Sequence, residues 1–161
     1  MIKKTVLISV VLGVISGCSQ KNLTKQESAF IVMKTPIMKY ADMGFISNSP
    51  TTVKVDIYAA GQPVMNFEIN GMNVCMSTFE CMDKASFNKK VLSKYYDEKV
   101  LEDIFRAEPI FNGENLEKKD DGFTQKIKKE NMYDITYSVV SGERKFRDTI
   151  NKILIKVREQ K

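Results

Sequence analysis

The chain has 161 residues, of which 43% are hydrophobic and 28% are charged, a composition typical of a folded globular domain. This length fits one modest domain and excludes a large multidomain enzyme. Histidine is absent, which excludes a His-based catalytic triad, a His zinc site and an imidazole general base. The formal net charge of +5 is only mildly basic, and nucleic acid is therefore not an expected partner.

The amino-terminal residues have the pattern of a secretory signal. Lys3 and Lys4 form a positively charged start, and an almost unbroken apolar run follows over residues 6–15. This run is too short to span a bilayer comfortably as a permanent helix. It ends in Ile-Ser-Gly directly before Cys18, which resembles the lipobox of bacterial lipoproteins. An ordinary membrane anchor with a chance cysteine is the alternative.

The lipobox resemblance implies a specific processing of the chain. A diacylglyceryl group would be transferred to the Cys18 thiol, the chain would be cleaved after Gly17, and the new amino end would receive an acyl group such as palmitate. Ser19 follows the cysteine, and in the lipoprotein pattern this favours the outer membrane over retention in the inner membrane. We therefore expect a lipid-anchored protein on the periplasmic side of the outer membrane.

Three regions are expected along the chain. Residues 1–17 form the signal peptide, residues 18–29 the acylated cysteine and a polar tether, and residues 30–161 a single folded domain. Within that domain, alternation of apolar and polar residues predicts half-buried strands on both sides of a helical middle part. Strands are predicted over 37–47, 52–59, 64–69, 72–76, 123–128, 135–139 and 153–158.

Apolar residues recur at helical spacing in the middle of the chain. They predict two short helices, or one bent helix, over residues 86–107, with Ser86 able to cap the start and Pro109 following the end. The order of strands, helices and strands lacks β-α-β alternation. We therefore predict an α+β fold in which central helices cover the apolar face of one curved antiparallel sheet.

Cys75 and Cys81 are a candidate disulfide. After export the compartment is oxidising, and acylation of Cys18 would leave these two as an even pair. Two free thiols are the competing interpretation. A redox-active pair would more often have the C-x-x-C spacing, so no catalytic role is predicted for them.

No signature of an enzyme is found in the sequence. There is no glycine-rich phosphate loop, no G-x-S-x-G motif and no metal-ligand spacing. Adjacent carboxylates such as Asp120 and Asp121 point in different directions on a strand or helix and make poor acid–base pairs. We therefore predict no catalytic residue, no metal and no cofactor, and a periplasmic hydrolase is the least favoured function.

The order of these elements resembles the family of the LolB receptor, the outer-membrane lipoprotein that accepts lipoproteins from the carrier LolA. The segments that carry the resemblance are Phe45-Ile46 with 53–57, the turn 58–64, the helix end at 104–109, Gly122-Phe123-Thr124-Gln125 with 135–137, and the closing strand 153–157. They span about residues 37–158. The chain lacks the family's Pro-Leu-Gly motif and its tryptophans, with Phe123 at one such place.

The resemblance implies an unclosed antiparallel half-barrel with a helical lid, whose concave face binds the acyl chains of lipoproteins delivered by a periplasmic carrier. The candidate acyl-binding residues are apolar side chains of the first strand set and the helices: Val55, Ile57, Met65, Phe67, Met72, Val74, Met76, Leu92, Leu101, Ile104 and Phe105. The alternative is a non-enzymatic structural or assembly lipoprotein of an envelope or secretion complex. In that case the same apolar face is a filled core, and partners bind the basic outer face.

Overall fold

The structure is a computed structural model that describes residues 25–77 and 80–160. The predicted signal peptide and the predicted lipidation site Cys18 lie outside these residues, as does most of the predicted tether. No helix among the described residues is long and apolar enough to cross a membrane.

Eleven strands form one antiparallel sheet, in the order β6-β5-β4-β3-β2-β1-β11-β10-β9-β8-β7. Since β6 and β7 are its two edges, the sheet is unclosed over the residues that the structure describes. The strands are β1 (Lys25–Lys34), β2 (Lys39–Asn48), β3 (Val53–Ala59), β4 (Gln62–Ile69), β5 (Asn73–Met76), β6 (Glu80–Asp83), β7 (Leu116–Lys119), β8 (Gly122–Lys129), β9 (Tyr133–Val140), β10 (Glu143–Asp148) and β11 (Ile153–Glu159). The prediction of one large antiparallel sheet is confirmed.

The sheet consists of two meanders that meet at its centre. In each meander, strands that follow one another in the chain pair side by side. The two meanders are joined by β1 and β11, which pair antiparallel with Ile31 opposite Val157. The backbone N–H of Gln160 extends this pairing by donating to the carbonyl of Ser28 at 2.9 Å.

Four strands are not predicted by the sequence pattern: β1, β6, β7 and β10. The predicted start of the fold at Phe30 is later than the start of β1 at Lys25. The connection predicted over residues 114–121 contains β7.

Two short helices, α1 (Lys84–Val91) and α2 (Val100–Arg106), occupy the region predicted to be helical. The cap of α1 is Asp83 rather than Ser86, since the Asp83 carboxylate accepts a hydrogen bond from the Ser86 N–H at 2.8 Å. The second helix ends at Ala107, which adopts the left-handed conformation with φ of 61°. Residues 84–115, which connect the two edge strands and contain both helices, are called the helical segment below.

One face of the sheet, called the inner face, carries the buried side chains. Alternate residues of each long strand point to it, as Val53, Val55 and Ile57 do on β3. The apolar residues of the helical segment, including Leu101, belong to the same hydrophobic cluster. The opposite face of the sheet is called the outer face.

Candidate functional site

The inner face brings together most of the predicted acyl-binding residues. Met65 and Met76 are half-buried and pack against the cluster. Eight others are buried within it: Val55, Ile57, Phe67, Val74, Leu92, Leu101, Ile104 and Phe105. Strand residues and helix residues predicted to line one site therefore lie in one cluster.

Met72 does not lie with this group, because its side chain is 77% exposed. The Asn70 side chain accepts hydrogen bonds from the backbone N–H groups of Met72 and Asn73, at 3.0 Å and 2.8 Å. Met72 is therefore part of the turn, and β5 begins one residue later, at Asn73. The hairpin predicted at Asn70-Gly71 is present, but its turn extends over Met72.

The space between the inner face and the helical segment is filled by side chains. Ile57, Ile104 and Phe105 have no surface that a water molecule could touch. The ring of Phe87 on α1 meets the ring of Phe67 on β4 edge to face, with ring centres 6.3 Å apart.

Several residues of the cluster are missing from the sequence-based set. They lie in the second meander and in the central strands β1 and β11, none of whose residues the sequence analysis named as part of a site. These residues are Ala29, Ile31, Met33, Ile127, Tyr133, Ile135, Tyr137, Phe146, Ile153, Ile155 and Val157. For six of the eleven the signal is present, since the predicted strands 123–128, 135–139 and 153–158 alternate and contain them.

A small set of polar side chains holds the helical segment on the sheet, and we call these bonds the closing contacts. The first joins the hydroxyl of Tyr96, which donates to the carboxylate of Asp148 at 2.5 Å. Burial, and then this hydrogen bond, raise the pKa of Tyr96 far above its ordinary value. Asp148 in turn accepts hydrogen bonds from the backbone N–H groups of Asp134 and Ile150, which hold its carboxylate in place.

The second closing contact links the end of α2 to the second meander. Arg144 on β10 is almost fully buried and donates from Nη1 to the carbonyl oxygen of Phe105 at 2.8 Å. The same guanidinium pairs with the carboxylates of Glu27 and Glu159. Burial raises the pKa of Glu27, although the charge of Arg144 opposes this shift. One arginine thus joins the first strand, the last strand and the helical segment.

The third closing contact links α2 to the loop between β2 and β3. Arg106 donates from Nη1 to the carbonyl oxygen of Ser49 at 2.9 Å. Its Nε donates to Glu102, which also accepts from Lys84 at the start of α1. Burial acts to raise the pKa of Glu102, but the two hydrogen-bonding cations outweigh it and hold the pKa below its usual range.

The fourth closing contact uses the amide of Gln125 on β8. Its Oε1 accepts from the backbone N–H of Ile110, and its Nε2 donates to the carbonyls of Ile110 and Glu114. The side chain is buried with all these bonds satisfied. It fixes the end of the helical segment to the second meander.

Asp103 on α2 is an acid in an unfavourable electrostatic setting. Partial burial and the nearby negative charges of Glu108, Glu102 and Asp97 raise its pKa to about 7. Lys99 opposes this shift but does not cancel it. The charge of α2 therefore changes near neutral pH.

Comparison with protein-family models and with the curated proteins finds no match to this chain. The geometry of the site is therefore the basis for assigning a function.

An open hollow of about 770 Å³ lies where α2 faces the turn between β4 and β5. Met72 lines it together with Asn73, Lys84 and Glu102. The exposed methionine thus stands beside the ion pair that ties α1 to α2. Through this hollow, solvent reaches Lys84 and Glu102 of the helical segment.

Cys75 and Cys81 form a disulfide between directly opposite residues of β5 and β6. Because α1 begins directly after β6, the bond ties the start of the helical segment to the first meander. Among the described residues, no group of histidine, cysteine and acidic side chains could hold a metal ion.

Proposed function

We propose that this chain is a lipoprotein anchored through Cys18 to the periplasmic side of the outer membrane, and that it binds acyl chains of lipoproteins or lipids without chemistry. In this proposal the unclosed antiparallel sheet acts as a curved half-barrel, which the resemblance to the LolB family implies, and the helical segment acts as its cover. A role in lipoprotein localisation, with acyl chains delivered by a periplasmic carrier, follows from that resemblance.

One observation carries the proposal: over the described residues, the apolar inner face continues across an unclosed sheet and is met by a short connecting segment. The two helices have eight and seven residues, too few to be stable alone. They depend on the apolar contacts and the closing contacts that hold them on the sheet. Such a segment can separate from the sheet as a unit. A continuous layer of long helices over the whole sheet could not do so.

Acyl binding in this proposal is an exchange of apolar surfaces. Leu101, Ile104 and Phe105 of the helical segment are buried against the inner face. An acyl chain would take their place, gaining about 0.8 kcal/mol for each methylene removed from water. Opposing this gain, each closing contact that breaks costs about 1–3 kcal/mol if its partners stay buried. The apolar side chains that leave the inner face lose free energy in proportion to the area they expose, so the acyl chain must bury more apolar surface than the helical segment gives up.

The hollow beside Met72 supports one route of entry. Opening there requires the Lys84–Glu102 ion pair to separate, and both side chains are mostly buried at 2.7 Å from each other. Met72 is flexible and polarisable, properties suited to a first contact with an apolar chain.

The test is acyl binding by the chain that begins at residue 18 with Cys18→Ser, which removes the anchor and keeps every described residue. Native mass spectrometry would look for co-purifying lipid, and titration with a fluorescent fatty acid would give an affinity. We expect Phe67→Ala to weaken binding about tenfold or more, since the variant removes a large apolar side chain from the inner face.

The matched control is Phe45→Ala, which removes the same side chain from the outer face of β2, two strands away from β4 in the sheet. It should leave fatty-acid affinity unchanged. Equal effects of the two variants, or no binding by a folded parent chain, would refute the acyl-binding function.

The filled interior also favours a second candidate, the structural or assembly lipoprotein of an envelope complex. In that case the cluster is a permanent core, and the helical segment does not leave the sheet. Hydrogen exchange separates the two functions. If acyl binding is correct, amides of the helical segment exchange by a local opening of lower free energy than global unfolding. A permanent core predicts that they exchange only with the whole sheet.

A further inference from the structure

The outer face carries one contiguous group of apolar side chains on β1, β2 and β3. We call it the outer apolar patch, and it consists of Phe30, Val32, Met43, Phe45 and Tyr58. Met43 is 40% exposed and Phe45 is 41% exposed, while the other members are half-buried. Exposed apolar side chains that are contiguous in this way mark an interaction surface.

The strand register makes the patch continuous. Phe30 on β1 lies directly opposite Met43 on β2. The rings of Phe45 and Tyr58 meet edge to face, with centres 5.9 Å apart. The patch therefore runs without interruption over three neighbouring strands.

Basic side chains flank the patch on the side of β11. Arg158 lies over the ring of Phe30, 6.0 Å from its centre. Lys156 lies opposite Val32 in the register and pairs with Glu143 at 2.9 Å. On the other side, Asp56 lies opposite Phe45 and limits the patch toward β4. Aromatic rings next to cations are the composition found at the interface between a phospholipid bilayer and water.

The patch lies toward the end of the sheet where the chain enters from its anchor. Phe45 is opposite Ser28, about 10 Å along β1 from Lys25. Fully extended, the chain from Cys18 to Lys25 spans at most about 24 Å. Lys34, at the other end of β1, lies about 30 Å from Lys25, and the turn at residues 149–152 is beside that far end. A membrane attached at Cys18 is thus within reach of the patch.

We propose that the outer apolar patch lies on the phospholipid surface to which Cys18 is attached, with Arg158 facing anionic head groups. The domain would then rest against the membrane by the outer face of β1 and β2. The inner face and the helical segment would point toward the periplasm. This inference requires the proposed anchor but not the proposed acyl cargo, so either can fail without the other.

The absence of tryptophan from the chain allows a direct test. Phe45→Trp places a single fluorescent reporter in the patch, and Ile150→Trp places one at the far turn, where the native side chain is similarly exposed at 44%. Each variant of the full, acylated protein is reconstituted into vesicles of phosphatidylcholine and phosphatidylglycerol, with or without brominated phosphatidylcholine. Circular dichroism checks the fold, and Met43→Trp replaces Phe45→Trp if that variant fails to fold.

We expect brominated lipid to quench the patch tryptophan several-fold more than the tryptophan at position 150, and its emission to shift to the blue on reconstitution. Equal quenching of the two reporters would overturn the inference. So would a blue shift that appears without vesicles and grows with protein concentration, because that result would assign the patch to a second copy of the chain.

Discussion

Tyr137 on β9 has a buried hydroxyl group with no hydrogen-bond partner among the described residues. Its ring lies between those of Phe123 and Phe146. Burial raises the pKa of Tyr137 well above its ordinary value, so the hydroxyl stays protonated. An unpaired buried hydroxyl costs about 1–3 kcal/mol, whereas the apolar ring is well placed.

We therefore expect Tyr137→Phe to raise the free energy of unfolding by about 1 kcal/mol, measured by urea denaturation. The matched control is Tyr96→Phe, which removes the buried hydrogen bond to Asp148 and should lower it by about 1–3 kcal/mol. The same chemical change is thus expected to have opposite signs at the two positions. A loss of stability in Tyr137→Phe would mean that its hydroxyl has a partner.

Asp103 gives stability an unusual dependence on pH. Its pKa is 3.8 ordinarily and about 7 in the fold, so between these values the folded state holds a proton that the unfolded state has lost. The contribution of Asp103 to the free energy of unfolding therefore falls as pH rises from about 4 to about 7. Asp103→Asn removes this effect. The variant should be more stable than the parent at pH 8 and equal to it near pH 4, as measured by urea denaturation at each pH.

Asp83 provides a control of opposite sign. The hydrogen bond from the Ser86 N–H lowers its pKa, so its contribution to stability is present at neutral pH and is lost as pH falls through the lowered value. Asp83→Asn should therefore differ most from the parent at neutral pH and least in acid. If Asp103→Asn showed this same profile, the electrostatic account of α2 would be wrong.

At the scale of elements, the strands that sequence analysis predicts are those with clean alternation. In β3, Val53, Val55 and Ile57 alternate with polar residues, and the strand is found where it is expected. In β1, Phe30 and Val32 on the outer face are also apolar, so alternation disappears into a continuous run. The apolar side chains that β1 contributes to the outer apolar patch are thus the physical reason why alternation does not predict this strand.

The other three strands that the sequence pattern does not predict, β6, β7 and β10, lack a clear alternation for different reasons. In β10, the inward positions include Arg144 and Asp148, which are buried because they make closing contacts. Because both residues are charged, the hydrophobicity pattern predicts that they are exposed to solvent. The edge strands β6 and β7 have four residues each and too few buried positions for any period to show.

The candidate site was predictable in part. The spacing of apolar residues on the strands and helices identified most of the named residues that share the cluster, because apolar residues at that spacing lie on one face and are buried together. The closing contacts could not be predicted, since Arg106 and Ser49 lie far apart in sequence and meet only after the sheet has formed. Their polar side chains give no periodic signal.

Arg106 allows a test of opening at the level of α2. Arg106→Met keeps an apolar stem and removes the bond to the carbonyl of Ser49, so it should lower the free energy of unfolding by about 1–3 kcal/mol. If acyl chains bind only the open state, the apparent affinity for a fluorescent fatty acid should rise in this variant. The rise should be up to tenfold for each decrease of about 1.4 kcal/mol in the stability of the closed state relative to the open state. A variant that loses stability without gaining affinity would contradict opening at this helix.

Lys54→Met is the control for charge removal. Lys54 pairs with Glu68 at 3.2 Å on the outer surface, where both side chains are about half exposed. Such a pair contributes about 0–1 kcal/mol. Neither stability nor fatty-acid affinity should change measurably in this variant.

At the scale of the whole molecule, the anchor is the most specific prediction of the sequence, and it concerns residues outside those that the structure describes. Growth with radiolabelled palmitate should label the parent protein. Cys18→Ala should abolish the label and leave an uncleaved chain in the inner membrane fraction. Label that persists in this variant would place the acyl group elsewhere and remove the basis for the outer-membrane location.

The pairing of β1 with β11 also has a consequence for how the chain acquires its fold. These neighbours at the centre of the sheet are more than a hundred residues apart in sequence, whereas most other pairs are adjacent in the chain. Each meander can form locally and early, but joining them must await the last strand, and contacts of such long range slow folding. The sheet therefore cannot be completed until β11 has been synthesised, and before then the apolar inner faces of the two meanders are not joined in one cluster.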